Sequence, residues 1–306
     1  MGASSPRGHL DTERVNPRTG QLDTLNTLAA VQLVQSEDAR IHAALADAAP
    51  AIAAATDRVA HCFAQGGRLF YVGAGTSGRL GTLDASECPP TFQSDPEQVI
   101  AIIAGGPDAL TRAIEGAEDD EHAAREALAA RDLGPLDVVF GIAAGATTPF
   151  VHAALACARE RGAGSIFLAC VPERDVPDAA EISIRVLTGP EVLAGSTRLK
   201  AGTATKLVLN TVTTLAFARL GKVHGNLMVD VQTRGNAKLR DRGTRLVAHL
   251  CQLEPGAAGA LLEAAGGRVK VAVVMHARQL ERHDAVTALE QAGGVLRRAL
   301  DADSAR

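Results

Sequence analysis

The 306-residue chain has no tryptophan, one tyrosine and seven phenylalanines, so aromatic residues make up only 3% of it. Stacking of bases or sugars on aromatic faces is therefore not its main binding device. Neither sign of charge dominates. Lys and Arg number 31 against 35 Asp and Glu, a formal net charge of −4, which excludes bulk-charge attraction to nucleic acid or to an anionic membrane. No apolar run is long enough to span a bilayer, and the polar opening "MGASSPRGHLDTERVNPRTG" lacks the apolar segment of a signal peptide. The five cysteines (Cys62, Cys88, Cys157, Cys170 and Cys251) form no C-x-x-C pair and are odd in number. Reduced, buried thiols in a cytoplasmic protein are the expectation. The nine histidines show neither H-x-x-x-H nor H-E-x-x-H spacing, so no zinc site is expected.

What the chain does have is an ordinary globular balance, 46% hydrophobic and 22% charged. Residues 1–23, rich in Gly, Ser, Pro and Arg near their start, are expected to be mobile. Ala- and Leu-rich helical patterning over 24–65 stops at Gly66 and Gly67. Short apolar runs then alternate with helical stretches: "RLFYVG", "QVIAIIAGG", "DVVFGIAAG", "SIFLACV" and "EISIRVL" read as five strands. The double proline Pro89–Pro90 is expected to end the helix after the first strand, and 107–130 reads as one or two acidic helices. Alternation of this kind predicts an α/β fold, a doubly wound parallel sheet covered on both faces. A long buried helix, "STRLKAGTATKLVLNTVTTLAFARLGK", follows. Residues 240–306 read as a small helical C-terminal subdomain after a ligand-binding domain over 24–239.

Residues 73–78, "GAGTSG", match G-x-G-x-x-G just after the first strand. A dinucleotide site of this kind also needs an acidic residue at the end of the second strand. Here that strand ends in "AGG", so the fingerprint is incomplete. Thr76 and Ser77 beside the backbone amides of Gly75 and its neighbours suit a terminal monophosphate instead. A plain tight turn with a hydroxyl N-cap is the competing reading. The loop after the third strand, "AGATTP", supplies Thr147 and Thr148. "STRLK" supplies Ser196, Thr197, Arg198 and Lys200, as anion ligands or as a helix cap followed by surface charge. In parallel sheets ligands bind at the carboxyl ends of the strands, where both glycine-hydroxyl loops fall.

The stretch "GRLFYVGAGTSGRLGTLDASECPPTF" resembles the signature of the N-acetylmuramic acid 6-phosphate etherases. The likeness continues through "IAGGPDALTRAIEGAEDD", "GPEVLAGSTRLKAGTATKLVLN" and "LGKVHGNLMVDVQ", and extends from about residue 12 to residue 300. The resemblance implies a sugar isomerase fold, a phosphosugar substrate, a homodimer, and no metal or organic cofactor. It implies cleavage of the D-lactyl ether at C3 of N-acetylmuramic acid 6-phosphate, in recycling of cell-wall amino sugars. It matches the acid/base pair to Glu87 in "ASECPP" and Glu118 in "EGAEDD", and the hydroxyl loop to Thr76 and Ser77. Gly145 stands where the family commonly has a serine, so that a contact is either lost or taken over by Thr147 or Thr148, and Thr205 stands where glutamine is common.

The residues alone weigh these assignments unequally. Glu118 lies in an acidic run, 115–121, of the kind that usually makes a solvated face. Glu87 sits among small and apolar residues, where a helix-end hydrogen bond is its other role. Cys88 has no recognisable histidine partner and reads as a buried spectator. Two other functions suit the same loops: a non-catalytic regulator that senses a phosphosugar, and a phosphosugar isomerase. A DNA-binding regulator would need a basic helix-turn-helix, for which the N-terminus is too short.

Overall fold

A computed structural model describes residues 8–235 and 237–301. Five strands, β1 (Leu69–Gly73), β2 (Val99–Ile103), β3 (Val138–Ile142), β4 (Gly164–Ala169) and β5 (Ile182–Arg185), form one sheet in the order β2-β1-β3-β4-β5. Every pairing is parallel, and Gly73 at the end of β1 stands level with both Ile103 of β2 and Ile142 of β3. β1, β3 and β4 are buried along their whole length, as strands covered on both faces must be. The chain reverses its direction of winding between β1 and β3. The loops leaving those two strands therefore diverge and open a crevice at the carboxyl edge.

Helices α1 (Thr27–Asp38) and α2 (Ile41–Ala64) precede the sheet, and α3 (Gly75–Phe92), α4 (Glu121–Ala129) and α5 (Pro149–Glu160) connect its strands. On one face Phe70, Val72, Val139 and Phe167 pack with Leu128 of α4 and Phe150 and Val151 of α5. The other face carries Tyr71, against which α3 is drawn so close that a Cβ at Gly81 would lie 2.9 Å from the tyrosine Cβ. Tyr71 also donates its hydroxyl to Asp84 of α3, 2.9 Å. Asn210 and Thr213 of α6 (Lys200–Arg219) donate to the same carboxylate, at 2.6 and 3.3 Å. Burial pushes the Asp84 carboxyl up, and these donors offset part of that.

The sequence predicts mobility through residue 23. Residues 1–7 lie outside the described residues, but the segment from Leu10 to Thr19 is fastened. Leu10, Thr12, Asn16 and Thr19 are all buried. Asn16 donates to Glu37 of α1 at 2.8 Å, and Thr19 donates to the Val192 carbonyl at 2.8 Å. Polar composition signals disorder only when the polar groups lack partners, and Asn16 and Thr19 have partners far away in sequence.

Two further expectations differ in detail. Pro89 and Pro90 lie inside the last turn of α3, which ends at Phe92. Only the final turn is affected, and Gln93 closes it at φ 51° with its N–H on the Pro89 carbonyl. The acidic stretch is mostly not α-helix: 107–110 and 117–119 are single 3₁₀ turns, and only α4 is regular.

Contacts divide the chain into two compact units. The first comprises the residues up to 85 together with 97–213, and the second comprises 86–96 with the residues from 214 onward. In the second unit α7 (Ala237–Cys251), α8 (Pro255–Ala264), α10 (Arg282–Gln291) and α11 (Leu296–Asp301) surround α9 (Val269–Arg278), where Val271, Val273 and Val274 are buried. Among the described residues no helix is long and apolar enough to cross a membrane.

Candidate active site

At the switch point of the first unit the loop after β1, the loop after β3 and the start of α6 enclose a small cavity of about 230 Å³. Thr76, Ser77, Thr147, Thr148 and Thr197 line it, with Glu118. A larger groove, about 740 Å³, runs past Ile102, Leu110, Ile114 and Phe150. Its walls are mostly apolar and it lacks the convergent hydroxyls that a sugar phosphate needs, so the smaller cavity is the candidate site.

The glycines of "GAGTSG" have separate tasks. Gly75 begins α3 at φ 52°, a conformation that a side chain disfavours. Gly78 lets α3 lie against the sheet, since a Cβ there would come within 2.5 Å of the Ile103 side chain and 2.7 Å of the Gly73 carbonyl. The first turn of α3 therefore starts directly above β1, with Thr76 and Ser77 at the cavity. The loop after β3 is held by Cys170 N–H on the Ala144 carbonyl, 2.8 Å, and by a 2.6 Å hydrogen bond between His152 Nε2 and the Ala146 carbonyl. Thr148 occupies the N-cap position of α5, yet its side chain makes no capping hydrogen bond, and it lines the cavity instead. Two helix N-termini, those of α3 and α5, thus begin at adjacent parallel strands. The positive end of a helix dipole favours an anion.

The third helix start is already occupied. Glu191 is fully buried and its carboxylate accepts from the Lys200 and Ala201 N–H groups, each at 2.9 Å. The Lys200 ammonium is likewise engaged: it is 1% exposed and donates to Glu37 at 2.9 Å. Lys200, expected from the sequence to meet a phosphate, is thus held inside the protein. Ser196 is half-buried and is not one of the cavity residues. Of the "STRLK" group only Thr197 lines the cavity. Spacing along the sequence did not reveal that the lysine turns inward. The informative signal was a distant acid, Glu37, which only the fold brings close.

Glu118 reaches the cavity from the 3₁₀ turn 117–119, entered through Gly116 at φ 72°. Glu87 is an exposed residue of α3 and belongs to the second unit. Cys88 beside it is buried, 2% exposed. Burial pushes the thiols of Cys62 and Cys170 up to about 12, so neither serves as a nucleophile near neutral pH. The sequence reading did not single out Glu13, which also lines the cavity. It noted Gly145 and Thr205, likewise in the lining, only as departures from the family pattern.

A parallel sheet in this order, with a hydroxyl-lined cavity at its switch point, is a doubly wound α/β fold built to hold a ligand there, and likeness in sequence places it in the sugar isomerase class. A family model described as the glucokinase regulatory protein N-terminal SIS domain matches residues 51–159. The chain belongs to the N-acetylmuramic acid 6-phosphate etherase family. It is 59% identical over 300 residues to the protein of that name from Gloeobacter violaceus, covering 98% of both chains. It is 53% identical to those from Nostoc punctiforme, over 96% of this chain and 95% of the relative, and from a Synechococcus species, over 99% and 96%.

Proposed function

We propose that the protein cleaves the D-lactyl ether of N-acetylmuramic acid 6-phosphate, giving N-acetylglucosamine 6-phosphate and D-lactate. Full-length identity to etherases supports the reading. The observation that carries it in this chain is the convergence of Ser77, Thr76, Thr147 and Thr148 with a carboxylate, Glu118, at one small cavity. The 6-phosphate is assigned to the hydroxyls of Thr76, Ser77, Thr147 and Thr148 and the amide ends of α3 and α5, where hydrogen bonds to a charged acceptor are strong.

An alkyl ether resists direct hydrolysis because its alkoxide is a poor leaving group. Opening the sugar to its aldehyde makes the C2 proton acidic, since it lies α to the carbonyl. A base removes that proton, the C3–O bond breaks, and the lactate oxygen takes a proton from an acid. Water then adds across the resulting double bond, hydroxyl at C3 and proton at C2. Each proton transfer by a positioned side chain is worth typically ~10²–10⁴-fold. Glu118, at the cavity, is assigned as the base at C2. Glu87 is assigned as the acid at the departing oxygen, an assignment that rests on its motif "ASECPP". Neither step calls for a metal or an organic cofactor. The protein is assigned as a cytoplasmic homodimer.

The test is to incubate the pure protein with N-acetylmuramic acid 6-phosphate and measure D-lactate. Stoichiometric lactate and N-acetylglucosamine 6-phosphate are expected. A folded protein that binds the sugar phosphate and releases no lactate is a sensor, and the etherase reading fails.

A further inference from the structure

The second unit has a cavity of its own, about 270 Å³, that shares no residue with the candidate active site. Three cationic side chains line it: Lys222, Arg268 and Lys270. Asp230 is the one acid in its walls among the described residues. The Lys270 ammonium donates to Asp230 Oδ2 at 2.6 Å and to the Gly294 carbonyl at 2.8 Å. Lys222 Nζ approaches the same Asp230 oxygen only to 3.5 Å, beyond ordinary hydrogen-bond length, and keeps 28% of its side chain exposed. Arg268 has no ion-pair partner among the described residues. One carboxylate therefore neutralises one of three cations, and the cavity keeps a surplus of two positive charges.

Such a surplus is unfavourable where water is limited. Lys270 is only 7% exposed. Burial pushes its ammonium below the ordinary lysine value and Lys222 and Arg268 press it further down, while Asp230 opposes them. A cluster whose only task was to hold the helices together would match cations with acids. This one is matched only if an anion enters. A dianion fits the count, and a phosphate group carries about −1.5 to −2 at neutral pH. The Arg268 fork and the two ammoniums are the donors that such a group takes, whereas a single carboxylate would leave one cation unmatched. The first two residues of α9, Val269 and Lys270, also line the cavity, so the positive end of that helix adds to the same field. No aromatic side chain is in the lining, so a nucleotide base would find nothing to stack on.

We propose that this cavity in the helical unit binds a phosphate group, carried by inorganic phosphate or by a small phosphosugar, between Arg268, Lys222 and Lys270. Asp230 orients the two lysines from behind. The site stands independently of the etherase reading, which rests on the first unit.

The full-length Ser77→Ala protein, in which phosphate binding at the first unit is weakened, is the background for the test. Titration calorimetry with sodium phosphate, at an ionic strength held constant with sodium chloride, should show saturable binding. Adding Arg268→Gln or Lys222→Gln should weaken it roughly tenfold to a hundredfold, the effect of losing one hydrogen bond between charged groups. Stability separates this from a structural role. In phosphate-free buffer the urea midpoint of Arg268→Gln should equal or exceed that of its parent, because a surplus like charge has been removed. Phosphate should raise the midpoint of the parent and much less that of the variant. N-acetylglucosamine 6-phosphate distinguishes the two sources: binding tighter than phosphate and equally sensitive to Arg268→Gln assigns the cavity to a phosphosugar, and binding no tighter assigns it to phosphate itself. Absence of saturable phosphate binding in Ser77→Ala overturns the proposal. So does an affinity untouched by both substitutions, or a loss of affinity that comes with a lowered midpoint in phosphate-free buffer. None of these results bears on lactate release, which tests the etherase reading separately.

Discussion

Lys200 Nζ lies 2.9 Å from Glu37 Oε2, and each side chain is only 1% exposed. The pair joins α1 to the start of α6, and Asn16 and Arg18 of the N-terminal segment bind the same carboxylate. One buried acid thereby ties three parts of the chain together beside the candidate site.

Removing Lys200 takes away the buried cation of the pair and leaves the buried Glu37 carboxylate to the half-exposed Arg18 and to Asn16. Lys200→Met should lower unfolding free energy by about 3–5 kcal/mol. The double variant Glu37→Leu/Lys200→Met should recover much of that loss. Urea denaturation checks both. A lysine that served only the ligand would leave stability unchanged and raise KM alone.

The same pair makes stability acid-sensitive. Burial pushes the Glu37 carboxyl up, but the hydrogen bonds from Lys200 and Asn16 and the nearby positive charges outweigh it, so the group sits below its ordinary 4.5. Its contribution is complete above that ordinary value and is lost as pH falls through the lower folded value. Asp137, bonded to Arg68, and Asp178, bonded to Arg185, act in the same direction. The stability that these three carboxylates contribute should be lost below about pH 4, seen as a fall in urea midpoint that Glu37→Gln makes shallower. A midpoint that rose on acidification would contradict this assignment.

Ser77 lines the cavity at the first turn of α3. If it holds the 6-phosphate, Ser77→Ala should raise KM by one to two decades, because a hydrogen bond to a charged group is worth about 1.5–3 kcal/mol. Unphosphorylated N-acetylmuramic acid should be a very poor substrate for the wild type. Equal turnover of the two sugars would remove the phosphate from this loop.

Gly78 has no room for a side chain, its nearest neighbours being the Ile103 side chain and the Gly73 carbonyl. Gly78→Ala should push α3 off the sheet, costing about 1–3 kcal/mol in stability and reducing kcat/KM as Thr76 and Ser77 move. Thermal unfolding together with steady-state kinetics checks this. An alanine variant with wild-type melting would mean that the helix shifts freely.

The two glutamates are separable by isotopes. In D₂O the product should carry deuterium at C2, and ¹⁸O from water should appear at C3. Glu118→Gln should abolish C2 exchange and turnover together, since no anion forms without a base. Glu87→Gln should retain slow exchange while blocking lactate loss. The reverse pattern exchanges the roles, and full activity in either variant takes that residue out of the mechanism.

The sequence by itself determined the class of this protein. Its apolar five- to six-residue runs, separated by helical stretches, permit only a covered parallel sheet, because strands buried on both faces cannot alternate polar and apolar residues. The glycines of 73–78 and the hydroxyls of 76–77 and 147–148 follow strands closely enough that local order alone puts them at the carboxyl edge. Tertiary structure decided what depends on residues far apart in the chain. Lys200 reads as a ligand until Glu37, 163 residues away, is brought against it in the interior, where a lone charge would be prohibitively costly. Thr12 reads as part of a loose leader, because nothing local pairs with it. Only packing shows that it is buried, in a segment fastened by Asn16 and Thr19.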